Sequence, residues 1–178
     1  MARKDTWTTP DAVDLITDQW RRSRPELDVS ALAVFGRLHR NYHRYQAFIG
    51  ETFAEYGISM GAFDVLAALR RSSDEGRLNA GALAQQTLVT TGGLTQRVNQ
   101  LEKSGLVRRE RDTDDGRIVY VALTEEGAAL IDKLADEHFS NEQAMLVGLS
   151  KSERKQLAHL LHRLERSMEL CELTERSE

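Results

Sequence analysis

Cysteine and proline are scarce in this chain, and long apolar runs are absent. Its 178 residues include one cysteine, Cys171, which excludes an internal disulfide and favours a reducing compartment. Pro10 and Pro25 are the only prolines, so everything after Pro25 can be helical without a forced break. No segment approaches the ~18 apolar residues of a membrane span, and the start of the sequence lacks the apolar stretch of a secretory signal. We therefore expect a cytoplasmic protein with one domain and long flanking helices, and no membrane partner.

Apolar residues recur at helical spacing through most of the sequence. This periodicity predicts five helices, over residues 10–23, 31–56, 60–71 and 124–146 and from 150 onward, of which the first is short. Thr9 is expected to cap the first helix, and Gly57 to end the second. Thr124 is expected to cap the fourth, and a Ser150–Glu153 capping box opens the last.

The most specific pattern lies between residues 78 and 123. Two short helical segments, preceded by the capping residues Asn79 and Thr90, stand three residues apart. A strand over 106–111, a turn rich in Asp and Gly, and a return strand over 118–123 follow them. This order predicts a mainly α protein with a small β-hairpin wing, a winged helix-turn-helix of the kind that grips duplex DNA.

The second short segment, residues 91–103, is the expected recognition helix. Its buried face is Leu94, Val98 and Leu101, and its opposite face is polar. Gln and Asn can pair with adenine, and glycines in the first turn let backbone amides approach a phosphate. The predicted contacts to DNA in this region are Thr90, Thr91, Gly92, Gly93, Thr95, Gln96 and Asn99. The alternative is a packed three-helix core with polar residues turned outward.

The predicted wing adds basic residues to this surface. Arg108 and Arg111 are expected to contact phosphates, and Arg117 at the tip is expected to enter the minor groove. Asp112 or Asp115 would then fix the Arg117 guanidinium in a bidentate pair. The alternative is a solvated hairpin turn with a surface ion pair that contributes little.

The uneven charge distribution agrees with a DNA-binding face. Although the net charge is −4, residues 94–111 carry a local +3 and residues 124–178 a local −5. A basic face on an acidic body attracts phosphates and disfavours docking by the wrong side.

The helices at both ends carry more apolar surface than the winged module can cover, which predicts a homodimer. We expect dimerisation helices and a possible ligand site in residues 1–56, the DNA-binding domain in 57–123 and further dimerisation helices in 124–178. Two copies would read half-sites of a palindromic operator roughly 34–36 Å apart.

Three stretches together resemble the MarR family of bacterial transcription regulators. They are FDVLAALRRS, LAQQTLVTTGGLTQRVNQLEKSGLVRRERDTDDGR and VALTEEG. The resemblance implies a dimeric winged helix-turn-helix protein, usually a repressor released by a small ligand. Thr113 stands where proline is common in the family, and Gly116 stands where a second arginine is common. The missing arginine is expected to weaken the wing contact or to make its reach more flexible.

The added N-terminal helix with Trp20 resembles the urate-responsive branch of this family. That resemblance implies a ligand site of Trp20, Asp64, Arg97 and Arg109, which would take urate or another small organic anion or phenol. A flat purine anion suits a ring neighbour, cationic donors and a carboxylate. The structural alternative makes Trp20 a core anchor, pairs Asp64 with Arg97 and places Arg109 on a phosphate.

No sequence pattern indicates an enzyme, so no catalytic residue and no cofactor are expected. The pairs His39 and His43, and His159 and His162, have spacings that could hold a metal between chains. Neither pair has a further ligand at a persuasive spacing, so surface or interface histidines are favoured and no metal is assigned. The alternative function from another class is a winged-helix module that binds protein and not DNA.

Overall fold

The computed structural model of the protein describes residues 9–72, 76–87, 91–113 and 115–175. Within these ranges the elements are α1 Ala12–Ser23, α2 Leu32–Glu55, α3 Met60–Ser72, β1 Arg77–Asn79, α4 Ala80–Gln86, α5 Thr91–Lys103, β2 Val107–Arg111, β3 Val119–Leu123, α6 Glu125–Met145 and α7 Lys151–Glu175. The predicted class, mainly α with a small β wing, is confirmed. The chain divides into two compact units, the first ending at Met60 and the second beginning at Gly61. The division into three functional regions stays a prediction.

The N-terminus of α1 is capped by Asp11, so the expectation of a Thr9 cap is wrong. Oδ1 of Asp11 accepts hydrogen bonds from the backbone N–H groups of Val13 at 2.7 Å and Asp14 at 3.1 Å. The Asp14 carboxylate accepts the Asp11 N–H at 2.9 Å in return. A carboxylate here accepts hydrogen bonds from backbone N–H groups of the first turn, which have no acceptor within the helix. The helix dipole also favours its negative charge.

In the first unit, α1 packs against α2 at a glycine. Val13 is buried, and a Cβ added at Gly36 would lie 3.0 Å from its Cγ1 atom. Beside this contact, Arg37 of α2 forms ion pairs with Asp11 at 3.0 Å and Asp14 at 2.7 Å. The absence of a side chain at Gly36 thus allows the close approach that the ion pairs reinforce.

The second unit contains the winged module, whose sheet has the order β1–β3–β2 with both pairings antiparallel. Val121 in the central strand pairs with Leu78 on one side and Arg109 on the other. The largest buried side chains of this unit are Val65, Leu66, Leu69, Leu83, Val107, Ile131 and Leu134. These residues join the helices and the sheet in one core.

Apart from the cap of α1, four helix ends in the described ranges follow the predicted signals. Gly57 and Gly105 have φ values of +67° and +72°, the left-handed conformation that ends a helix. Thr124 accepts the backbone N–H of Gly127 at 3.0 Å and caps α6. Ser150 and Glu153 form the expected capping box of α7, with bonds of 2.8 and 3.3 Å.

Long helices in each unit expose apolar side chains. On α2, Phe35 and Phe48 are 45% and 47% exposed. On α7, the exposed apolar residues include Leu157, Leu160, Leu161 and Met168. None of the helices in the described ranges combines the length and the apolar character that a bilayer crossing requires.

Candidate nucleic-acid interface

Helix α5 presents a polar surface because its apolar side anchors it to the core. Leu94, Val98 and Leu101 are buried. Thr95, Gln96 and Asn99 lie on the exposed side, as the periodicity predicts. Thr90 lies outside the described residues, and so do the side chain of Thr91 and the surroundings of Gly92. The exposed face of α5 is therefore defined by its second and third turns.

Arg97 covers the first turn of α5 and the start of α3. Its guanidinium and side-chain carbons occupy the space that a Cβ would fill at Gly61 and at Gly93. Its Nη1 atom is buried and has no hydrogen-bond partner in the described part of the chain. An unsatisfied buried donor costs about 1–3 kcal/mol, and a hydrogen-bond acceptor placed here would recover that free energy.

The other predicted ligand residues lie in different surroundings. Asp64 is half-buried on α3, three residues after Gly61. Trp20 belongs to the first unit and is 46% exposed in the single chain, which does not fit the alternative of a core anchor. The assignment of Trp20, Asp64, Arg97 and Arg109 to one pocket stays a prediction.

Arg109 connects the wing to the recognition helix. From β2 its Nη2 donates to Oδ1 of Asn99 on α5 at 2.6 Å, and its Nη1 donates to the Glu102 carboxylate. A residue predicted for the ligand thus bonds directly to a residue predicted for DNA. Glu102 was missed by sequence reasoning, and its signal was a carboxylate three residues after Asn99 on the same helix.

Arg108, the neighbouring residue on β2, is engaged within the sheet. Its Nε pairs with Oε1 of Glu110 at 2.6 Å, and its Nη1 donates to the Leu123 carbonyl at 2.8 Å. Glu110 also lies 3.8 Å from Arg77, whose guanidinium lies over the Tyr120 ring at 4.8 Å. A phosphate contact by Arg108 would have to compete with these partners.

The acidic residues at the tip of the wing order the backbone of the turn. Oδ1 of Asp112 accepts the Asp115 N–H at 2.9 Å, and Oδ1 of Asp115 accepts the Arg117 N–H at 3.0 Å. Such local bonds satisfy turn amides, and a bidentate pair of either carboxylate with the Arg117 guanidinium stays a prediction. Arg117 is exposed, and its guanidinium has no ion-pair partner among the described residues; Asp114 lies outside them.

The two histidines of α2 contact each other through their rings. The rings of His39 and His43 lie 4.4 Å apart in an edge-on arrangement. Within the described ranges, no group of three potential ligands from His, Cys, Asp and Glu lies close enough to hold a metal ion.

A polar helix face anchored by apolar residues and flanked by an arginine-bearing hairpin defines a winged helix-turn-helix DNA-binding protein. The profile of the MarR family matches residues 56–118. The chain is 35% identical over 153 residues to the HTH-type transcriptional regulator PecS of Dickeya dadantii (strain 3937), covering 86% of this chain and 92% of that protein. The chain therefore belongs to the MarR family of DNA-binding transcriptional regulators.

Solved structures of similar proteins share this fold. BpsR of Bordetella bronchiseptica, whose DNA binding is regulated by 6-hydroxynicotinic acid, superposes with a TM-score of 0.66 at 26% identity. That comparison covers 74% of this chain and 92% of BpsR. A mutant of MarR from E. coli in complex with operator DNA gives a TM-score of 0.66 at 25% identity, covering 78% and 99% of the two chains.

Proposed function

We propose that the protein is a homodimeric repressor that releases its operator when it binds a small organic anion. The observation that carries the DNA-binding part is the exposed polar face of α5 beside the wing tip. Thr95 and Gln96 offer hydrogen-bonding groups suited to base edges. Arg117 offers a guanidinium that is not committed to another side chain in the described ranges.

The exposed apolar residues of α2 and α7 support the homodimer. Aromatic and aliphatic side chains at helical spacing, such as Phe35, Phe48 and Leu160, are costly to leave in water. A second copy of the chain presents the same faces, and isologous contact would bury them. A dimer also doubles the DNA contacts, which suits a palindromic operator.

The unsatisfied Nη1 atom of Arg97 supports an anionic ligand. A carboxylate or a urate oxygen would accept from this buried donor in a charge-assisted hydrogen bond. The DNA binding of BpsR, which this chain resembles, is regulated by 6-hydroxynicotinic acid, and this supports an aromatic acid as the ligand here. Arg97 stands on α5, so a ligand that binds one arrangement of α5 more tightly would shift the DNA affinity. Participation of Trp20 and Asp64 remains a prediction from the sequence.

Duplex binding at several salt concentrations tests the DNA-binding part. We expect the logarithm of the binding constant for DNA flanking the protein's own gene to fall linearly with the logarithm of salt concentration. Sedimentation of the free protein should give twice the mass of one chain. Absence of duplex binding at low salt, or a monomer, would contradict the proposal and favour a protein-binding module.

Displacement of the bound duplex tests the ligand part. Urate and 6-hydroxynicotinate are added separately to the complex, with the neutral amide of 6-hydroxynicotinate as a reference compound. At least one anion should release the DNA, and Arg97→Gln should raise the concentration required. Lys103→Gln is the matched control, since it removes the same charge from the last turn of α5. If Arg97→Gln and Lys103→Gln require the same anion concentration to release the DNA, Arg97 does not donate a hydrogen bond to the anion.

A further inference from the structure

The bond between Arg109 and Asn99 fixes the orientation of the Asn99 amide. A guanidinium carries five donors and no acceptor, so the atom 2.6 Å from Nη2 must be the carbonyl oxygen of Asn99. The second amino group of Arg109 bonds to Glu102, one turn further along α5. Both amino groups of the Arg109 guanidinium are bonded to α5. Arg109 therefore keeps Oδ1 of Asn99 turned toward β2 and leaves the NH2 group of Asn99 for another partner.

This orientation limits what Asn99 can read on a base pair. The usual pairing of asparagine with adenine uses the amide oxygen and the amide nitrogen together, one accepting and one donating. With its oxygen held by Arg109, Asn99 can turn only its two N–H donors outward. Adenine offers one acceptor and one donor in the major groove, whereas guanine offers two adjacent acceptors, N7 and O6.

We propose that Arg109 is a positioning residue that makes Asn99 a donor-only reader, so that this position of α5 selects guanine over adenine. The inference rests on the proposed function, since it requires α5 to lie in the major groove. It replaces the adenine pairing that the sequence suggested for Asn99. It also gives Arg109 a role in DNA specificity, independent of any ligand.

Selection from a randomised duplex library with the full-length protein tests this role. Wild type should enrich guanine at one position in each half-site, and Asn99→Ala should lose that preference while the other positions remain. Arg109→Ala frees the amide to rotate, so the guanine-to-adenine ratio at that same position should fall about five-fold or more. Arg70→Ala is the control, because its partner Asp132 lies on α6 and the pair does not involve α5 or β2.

A second variant tests the base preference at the same DNA position with Arg109 intact. Asn99→Asp keeps an acceptor for the guanidinium but turns an oxygen outward, so the preference should move from guanine to cytosine, whose N4 amino group donates. If Arg109→Ala lowers the midpoint of thermal unfolding so far that the selection cannot be carried out, Asn99→Asp tests the inference in its place.

Two results would overturn the inference while the proposed function stands. One is salt-dependent duplex binding in which Asn99→Ala retains every base preference, which would mean that Asn99 reads no base. The other is an Asn99-dependent guanine preference that neither Arg109→Ala nor Asn99→Asp alters. If wild type binds no duplex at all, the proposed function fails, and this inference fails with it.

Discussion

Arg37 on α2 donates from Nη2 to Oδ1 of Asp14 on α1 at 2.7 Å. Its Nε donates to Oδ2 of Asp11, one turn back, at 3.0 Å. The hydrogen bond from Arg37 is the main reason that the pKa of Asp14 lies below its ordinary value, and the Asp11 backbone N–H adds to the effect. Asp14 in turn raises the pKa of Arg37. One side chain therefore couples the cap of α1 to the next helix.

The docking of α1 should weaken in acid. Because the pKa of Asp14 is lowered in the folded state, its contribution is complete above the ordinary aspartate pKa of about 3.9. The contribution is lost as the pH falls through the lowered folded value. An NMR titration of the Asp14 carboxyl should give a midpoint below the ordinary value, and Arg37→Ala should move that midpoint upward. The same substitution should speed amide exchange in α1 at neutral pH.

Arg21→Ala is the matched control for Arg37→Ala. Arg21 pairs with Asp18 at 3.4 Å within α1 and makes no bond to α2 among the described residues. Its loss should leave the Asp14 midpoint and the exchange rates of α1 nearly unchanged. Identical behaviour of the two arginine variants would show that Arg37 does not hold α1 in place.

Gly127→Ala should destabilise the second unit. A Cβ at Gly127 would collide with the Leu106 carbonyl oxygen, which accepts the Thr124 N–H at 3.2 Å. Both sides of this contact are backbone, so relief requires α6 to move, and we expect a loss of about 1–3 kcal/mol in the free energy of unfolding. Denaturant unfolding at fixed protein concentration measures the loss.

Gly50→Ala separates this steric effect from the general effect of adding a methyl group. Gly50 lies in α2 with nothing within 4 Å of the added Cβ. Alanine there should be neutral or should stabilise the helix by up to about 1 kcal/mol. A Gly127→Ala variant as stable as Gly50→Ala would mean that α6 does not approach Leu106 so closely.

The helices were predictable because their signals are local. Apolar residues at helical spacing, with Gly57 and Gly105 as stops, placed α2 and α5 to within one or two residues. Strand β1, Arg77–Asn79, was missed because three residues are too few for their alternation to stand out in the sequence. It is a strand only through its pairing with β3, where Leu78 lies opposite Val121. That pairing depends on tertiary structure and leaves no mark in the local sequence.

The sequence predicted which residues of the site lie on the exposed face of α5, but not which hydrogen bonds the residues of the site form. Periodicity alone placed Thr95, Gln96 and Asn99 on the exposed side of α5. The bonds of Arg109 depend on how β2 lies against α5, a relation between distant segments that spacing does not encode. At the wing tip, the closeness of Asp115 and Arg117 in sequence suggested a pair between their side chains. In the structure the Asp115 carboxylate accepts the backbone N–H of Arg117.

Arg117→Ala should weaken binding to every duplex and flatten its salt dependence. An uncommitted guanidinium can neutralise a phosphate or enter the minor groove at little cost, so its loss should reduce the salt slope by about 1. Arg108→Ala should change the slope less, because Arg108 would first have to leave Glu110 and the Leu123 carbonyl. Anisotropy titrations across a salt series measure both slopes. A wild-type slope in Arg117→Ala would exclude its contact with the DNA backbone.

Gly61→Ala should impair the response to the anion without changing any charge. The added Cβ would overlap the Arg97 side chain, which is flexible and would be pushed from its place on α3. If the buried Nη1 receives the ligand, the anion concentration that releases half of the bound DNA should rise roughly ten-fold, the effect of losing one charge-assisted hydrogen bond. Gly50→Ala is the control and should respond like wild type. A wild-type response in Gly61→Ala would place the anion elsewhere, since Arg97 cannot keep its present position beside an alanine.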